Sequence, residues 1–137
     1  CKFYLPKMIE KKWGRIININ SIYGLRGVDN NSPYIVSKHG LTGLTKSIAK
    51  EYAIHGITCN EICPGAIESE LMNRIAVRIA KEEGTTPENF LKEVASTYPS
   101  RRLVMPNEVS ALALFLASEE ASFINGSSIP VDGGLIC

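Results

Sequence analysis

Tyr34 and Lys38 stand four residues apart in a stretch with helical character, which puts their side chains on one helical face. Ser21 precedes Tyr34 by thirteen residues, at the start of a loop rich in Gly and Asn. A phenol, an ammonium and a hydroxyl gathered at one place can move a proton to or from a bound oxygen. A phenol is a poor base near neutrality, because its ordinary pKa is about 10. An ammonium beside it favours the phenolate; at ~4 Å and an effective dielectric of ~20 the attraction is about 4 kcal/mol. Lys38 is thereby expected to make Tyr34 a usable acid and base. Ser21 is expected to hold the same substrate oxygen by a hydrogen bond and to stabilise its developing charge.

The Tyr-x-x-x-Lys pair means little alone, since a chain of this composition yields about a third of one such pair by chance. Requiring a Ser at the fixed offset lowers the expectation to roughly 0.03. The setting adds the rest of the specificity: a strand before Ser21, a helix under Tyr34, and Pro64-Gly65 after the next strand.

The elements that must position these groups follow from periodicity. Phe3, Leu5, Met8 and Ile9 have helical spacing over residues 1–12, ended by Gly14. Arg15 to Asn20 is short, apolar and β-branched, the pattern of a strand buried on both faces. A loop runs from Ser21 to Ser32. A long helix is predicted from Pro33 to Ile54, with Pro33 suited to its first turn and Gly56 to its C-terminal cap. This helix is small or apolar around much of its circumference (Gly40, Leu41, Gly43, Leu44, Ile48, Ala49), so one face is expected to cover a sheet and another to meet a second subunit. Ile57 to Cys63 is a second strand, closed by Pro64-Gly65. Ala66 to Tyr98 is helical with a break at Gly84 to Pro87, and its charges suggest a mobile excursion. Another helix starts at Pro106 with Val109, Leu112, Ala113 and Leu116 on one stripe, and Ser127 to Val131 is a third strand. This alternation predicts an α/β fold with parallel strands and right-handed crossovers.

Composition narrows the function classes. The chain has 137 residues, 45% hydrophobic and 21% charged, which suits one folded domain. A net charge of +1, without clusters of Lys or Arg, argues against nucleic acid and acidic membrane surfaces as partners. No apolar run reaches the ~18 residues of a membrane span. Cys1, Cys59, Cys63 and Cys137 fit neither zinc nor a dense disulfide framework; Cys59 and Cys63 read as small core residues in a reducing, cytoplasmic compartment. His39 and His55 lack partners at ligand spacing, so no metal is expected. Asp132-Gly133-Gly134 after the third strand reads as a structural turn.

Four segments, in order, resemble the classical short-chain dehydrogenase/reductase family. Asn18 to Gly24 is similar to its Asn-x-Ser-Ser-x-x-Gly segment, with Asn20 where a first Ser is common. Tyr34 to Lys38 matches its Tyr-x-x-x-Lys, Asn60 to Gly65 its Asn-x-x-x-Pro-Gly, and Val131 to Gly134 its C-terminal signature. The resemblance implies the last three strands, with flanking helices, of a Rossmann-like doubly wound parallel sheet. It implies one partial NAD(P)-binding domain over residues 1–137, with 66–102 as substrate-binding loop and helices. It implies that Tyr34 is the general acid/base, that Lys38 assists it and bonds the nicotinamide ribose, and that Ser21 orients the substrate. Pro64, Gly65 and the Ile67 backbone would line the nicotinamide side, and Ser69 stands where a Thr usually bonds the carboxamide. The cofactor would be NAD or NADP, the substrate a small secondary alcohol or ketone, and the assembly a homotetramer. Within the family the chain is similar to 3-oxoacyl-[acyl-carrier-protein] reductases, with 3-hydroxybutyrate and cyclic-alcohol dehydrogenases as alternatives. A competing reading of another class is a non-catalytic oligomerisation module; a nucleotide- or RNA-binding scaffold is weaker, given the neutral charge.

The family's Gly-rich dinucleotide turn, its Asn-Asn-Ala-Gly segment and its catalytic helix Asn are not in this sequence, which opens at Cys1 inside a helical pattern. The chain is therefore expected to be a piece of a longer protein, without the adenine and pyrophosphate side of the cofactor site. The purified 137-residue chain is expected to show little or no dehydrogenase turnover in an NADH or NADPH oxidation assay; robust turnover would overturn that expectation.

Overall fold

A computed structural model describes all 137 residues. Its elements run in the order α1 (Leu5–Lys11), β1 (Gly14–Ile19), α2 (Ser32–Tyr52), β2 (Ile57–Pro64), α3 (Glu70–Glu83), α4 (Pro87–Thr97), α5 (Pro106–Ala117) and β3 (Ser128–Val131). The three strands form one parallel sheet in the order β1-β2-β3. Gly14 to Ile19 pairs with Ile57 to Ile62, and Glu61 to Pro64 pairs with Ser128 to Val131. The predicted α/β alternation is what the chain adopts.

Burial is concentrated in the middle strand. All eight residues of β2 are buried, because β2 alone has a hydrogen-bonded neighbour on both sides. Ile57 and Ile62 are 1% and 0% exposed, and full burial of such a side chain stabilises the fold by about 1.5–3 kcal/mol. Ile62 anchors the larger core cluster with Val104, Val109, Leu116 and Ala121, against which Leu112 and Ala113 also pack. The stripe predicted for α5 is thus the one that faces the sheet. On the opposite face, Ile48 and Ala49 of α2 pack on Cys59.

Four local expectations need correction. β1 is not buried on both faces: its interior positions are half-buried and Ile19 is 51% exposed, because β1 is an edge strand. Gly14 does not end the first helix; Lys12 does, in the left-handed conformation at φ 51°, and Gly14 already pairs as the first strand residue. The loop after Ser21 contains a 3₁₀ turn, Ile22–Gly24. The long helix stops short of Ile54; as expected, one of its faces covers the sheet, at Thr45, Ile48 and Ala49, while Val36 is 70% and Leu44 48% exposed. It ends at Tyr52, passes through a 3₁₀ turn at Ala53–His55 and closes on Gly56. Gly56 caps as expected, at φ 70°, with its position against the Lys12 carbonyl leaving no room for a Cβ. No helix is long and apolar enough to cross a membrane.

Cys59 and Cys63 lie in β2 with no exposure, as the sequence suggested. Burial, then the charge of Glu61, pushes the Cys59 thiol up to about 11 and the Cys63 thiol up to about 12. A thiol raised in the fold contributes stability that is complete below its ordinary value of 9.0 and is lost as pH rises through the folded values. Both thiols should therefore resist iodoacetamide at neutral pH and become labelled after denaturation, as read by peptide mass spectrometry, and stability should decline between pH 9 and about 12. Labelling of either thiol in the native protein would contradict this packing.

Candidate active site

In a parallel sheet the carboxyl ends of all strands open onto one edge. Here that edge carries a cavity of about 760 Å³. β1 delivers Ser21 to it, α2 delivers Tyr34, and the end of β2 delivers Pro64, Gly65, Ile67 and Ser69. Six of the seven predicted site residues thus share one cavity. Lys38, the seventh, lies one turn along α2 behind Tyr34.

Ser21 is buried in an extended conformation, and its Oγ accepts the Tyr23 N–H at 3.2 Å, which caps the short 3₁₀ turn. The hydroxyl proton is left free for another acceptor. Tyr34 is 39% exposed, with its ring edge-on to Tyr23 at a centroid distance of 6.3 Å. The Lys38 ammonium lies 5.5 Å from the Tyr34 ring centroid. It donates to the carbonyls of Ile19 and Asn20 at 3.4 and 3.3 Å. Those carbonyls fix the cation between the end of β1 and the helix.

The β2 side is built from backbone. Gly65 N–H donates to Val131 O at 3.0 Å, continuing the ladder past the strand end. Ala66 O accepts from Val104 N and Glu68 N donates to Val104 O, both at 2.9 Å, so Ile67 is held in parallel pairing with Val104. The Ile67 N–H itself donates to no group of the chain. Ser69 Oγ accepts from Met72 N as the cap of α3 and donates to Ile67 O at 3.2 Å. Its hydroxyl therefore serves the local fold. A free N–H at Ile67 beside the apolar Pro64-Gly65 turn fits the amide oxygen and flat ring of a nicotinamide, which is the part of the cofactor these residues could hold.

Motif residues outside the cavity act as ties. Asn60 Nδ2 donates to Ile124 O at 2.7 Å and its Oδ1 accepts Ser127 N–H at 3.0 Å, which fixes the turn into β3. Asp132 accepts the N–H groups of Gly134 and Ile136, and Gly133 and Gly134 adopt φ 59° and 87°. The structural reading of that turn agrees with this geometry.

Three cavity residues escaped the sequence reading. Tyr98 is 3% exposed, and its hydroxyl accepts the Ala66 N–H at 2.6 Å. A Cβ on Gly65 would meet that hydroxyl at 2.7 Å, so Gly65 is required here by the close approach of Tyr98. Burial raises the Tyr98 phenol above its ordinary value. Arg26 stacks on Tyr23, its guanidinium 5.6 Å from the ring centroid, and is the one lining side chain with a formal charge. Neither Tyr23, Tyr98 nor Arg26 belongs to a spaced pattern, so nothing local in the sequence marked them. Ala66 to Tyr98, expected to be helical with a break at Gly84 to Pro87, holds α3 and α4 on either side of that break, and the pair contributes Leu71, Met72, Phe90 and Val94 to the cavity wall.

The family model described as "Enoyl-(Acyl carrier protein) reductase" matches residues 1–136. The D-beta-hydroxybutyrate dehydrogenase of Rhizobium meliloti (strain 1021) is 40% identical over 131 residues, covering 95% of this chain and 51% of the relative. A crystal structure of a short chain dehydrogenase family protein from Francisella tularensis subsp. tularensis SCHU S4 superposes with a TM-score of 0.88 at 28% identity, over 98% of this chain and 57% of that one. The structure of an actinorhodin polyketide ketoreductase (F189W) with NADPH gives 0.88 at 34% identity, over 93% of this chain and 49% of that one. The chain spans about half the length of the curated relatives it matches. With a family model matched from Cys1 to Ile136 and the parallel α/β fold shared, the chain belongs to the short-chain dehydrogenase/reductase family.

Proposed function

We propose that the intact protein is an oxidoreductase that interconverts a secondary alcohol and a ketone with NAD or NADP, and that residues 1–137 form the catalytic part of its cofactor-binding domain, with 66–102 as the substrate-binding segment. The observation that carries this reading is the convergence of Ser21, Tyr34 and the Pro64-Gly65-Ile67 turn on one cavity from three separate elements.

The bound nicotinamide supplies or accepts the hydride. Tyr34 gives its phenolic proton to the substrate oxygen in reduction and takes it back in oxidation. Ser21, its hydroxyl proton uncommitted, donates a hydrogen bond to that oxygen and holds it in reach of Tyr34. Lys38, anchored on the Ile19 and Asn20 carbonyls, supplies a positive charge 5.5 Å from the Tyr34 ring centroid and a donor for the cofactor's ribose. Pro64, Gly65 and Ile67 would hold the nicotinamide, with the free Ile67 N–H as a donor for its amide. Ser69 Oγ, which donates to Ile67 O and accepts from Met72 N, keeps a second lone pair that could accept from the same amide's N–H.

The cavity is lined mainly by apolar side chains, among them Leu71, Met72, Ile75, Phe90 and Val94 of α3 and α4, which suits an acyl chain or another hydrophobic body. A 3-oxoacyl thioester is the leading substrate class. Arg26 favours the 3-hydroxy acid alternative over a neutral cyclic alcohol, because it presents a cation to the cavity. Val36 and Leu44, exposed on α2, support assembly into a homotetramer through that helix. The unpaired thiols of Cys59 and Cys63 support a reducing, cytoplasmic location. The non-catalytic alternative is disfavoured by the complete set of Ser21, Tyr34 and Lys38.

In the intact protein, Tyr34→Phe should lower turnover by at least about 100-fold, the lower end of what a positioned acid/base contributes. Titration of NADH or NADPH fluorescence should show cofactor binding little changed. Near-normal rates in this variant would remove Tyr34 from its role.

A further inference from the structure

Glu61 sits near the middle of the innermost strand with 0% exposure. A carboxylate there has no water and must find donors within the protein. None of the chain's ion pairs includes it. The Cys63 thiol, on the same strand, makes a long contact with Oε1 at 3.8 Å, and the closer donors come from two other segments. Asn20 Nδ2 donates to Oε2 at 2.8 Å, and Thr42 Oγ1 donates to Oε1 at 2.8 Å. Thr45 Oγ1 lies 3.3 Å from Oε2 and 2.8 Å from Leu41 O, so its proton goes chiefly to the helix.

Asn20 connects this carboxylate to the proton-transfer groups. Its backbone precedes Ser21, and its carbonyl accepts from Lys38 Nζ. Its amide nitrogen also faces Lys38 O at 3.2 Å and Thr42 Oγ1 at 3.0 Å. The amide oxygen, buried, has no partner. Turning the amide over would set that oxygen against the carboxylate, so Glu61 dictates which way Asn20 points. The same carboxylate holds Thr42, one turn beyond Lys38 on the helix that carries Tyr34.

We propose that Glu61 is a positioning residue of the proton-transfer site: through Asn20 and Thr42 it fixes the Ser21 loop and the Lys38 anchor against the helix bearing Tyr34. The inference rests on the reading of Ser21, Tyr34 and Lys38 as the reacting groups. What it requires of residue 61 is reach and hydrogen bonding, more than charge. Glu61→Gln keeps the reach: its oxygen can accept from Asn20 while its nitrogen donates to a rotated Thr42 hydroxyl. Glu61→Asp keeps the charge but is one methylene shorter, and cannot serve both donors without moving one of them.

The test uses the intact protein, with NADH or NADPH and acetoacetate or an acetoacetyl thioester as probe substrates. Rates are expressed per cofactor-binding site, counted by fluorescence titration. Glu61→Asp should lower kcat by about 10–100-fold, the cost of roughly 1 Å of misplacement, with cofactor affinity within about two-fold of wild type. Glu61→Gln should retain kcat within about five-fold. A purely structural role would lower the folded fraction and leave kcat per site unchanged, so wild-type kcat in Glu61→Asp overturns the proposal. Loss in Glu61→Gln as deep as in Glu61→Asp overturns it too, because a side chain that keeps the reach and the hydrogen bonds would then not be enough. Should Glu61→Asp fail to fold, Thr42→Val carries the same test, since it keeps the shape and removes the donor; an unchanged kcat per site there overturns the proposal. Tyr34→Phe run alongside separates the two readings: activity retained in it overturns the assignment of the reacting groups, whereas an inactive Tyr34→Phe beside a silent Glu61→Asp overturns only the role of Glu61.

Discussion

The hydrogen bonding of β2 on both of its edges is the constraint from which the rest of the molecule follows. β2 is the only strand with two neighbours, and every one of its eight residues is buried. Because both pairings are parallel, each connection must cross over the sheet and return, which is why helices lie between the strands. The same geometry sends all three strand ends to one edge. Ser21, Pro64 and Asp132 therefore emerge side by side although the chain reaches them far apart.

A fully buried strand that carries Thr58, Asn60 and Glu61 is costly unless their polar groups find partners. Asn60 finds them in the turn before β3, and Glu61 in α2 and the loop after β1. Each partnership ties a loop or helix to the most deeply buried strand of the molecule. The polar content of β2 thus does for the site what apolar packing alone does not: it fixes direction as well as proximity. The core on the α5 side, built on Ile62, Leu116 and Val109, supplies the non-directional stabilisation beneath it.

The two sides of the cavity are made differently. The side with Ser21 and Tyr34 consists of side chains whose orientation is set by short local bonds, the Tyr23 N–H on Ser21 and the edge contact of the two tyrosine rings. The β2 side consists mostly of backbone, aligned by Val104, Val131 and Tyr98. Backbone can approach a flat ring closely only where side chains are absent, and Gly65 provides that beside Tyr98.

Periodicity carried the element order, the stripe of α5 and the buried thiols of β2, because a face that packs repeats its apolar residues at the element's own spacing. Residue type carried the proposed acid–base set, since Tyr, Lys and Ser at fixed offsets answer to one chemistry. The Gly56 cap was legible for a similar local reason: a left-handed residue after a helix favours Gly. Burial at the sheet edge was not legible. Whether Arg15 to Ile19 is covered depends on which strand lies beside it, and an apolar run reads alike in the centre and at the edge. Tyr98 against Gly65, and Glu61 against Asn20 across 41 positions, leave no periodic trace either. Such contacts exist only once the crossovers have folded, because a hydrogen bond between distant residues is fixed by the path of the chain in space. The sequence determined which candidate groups are present and in what order they come; the tertiary structure alone decided what holds them in place.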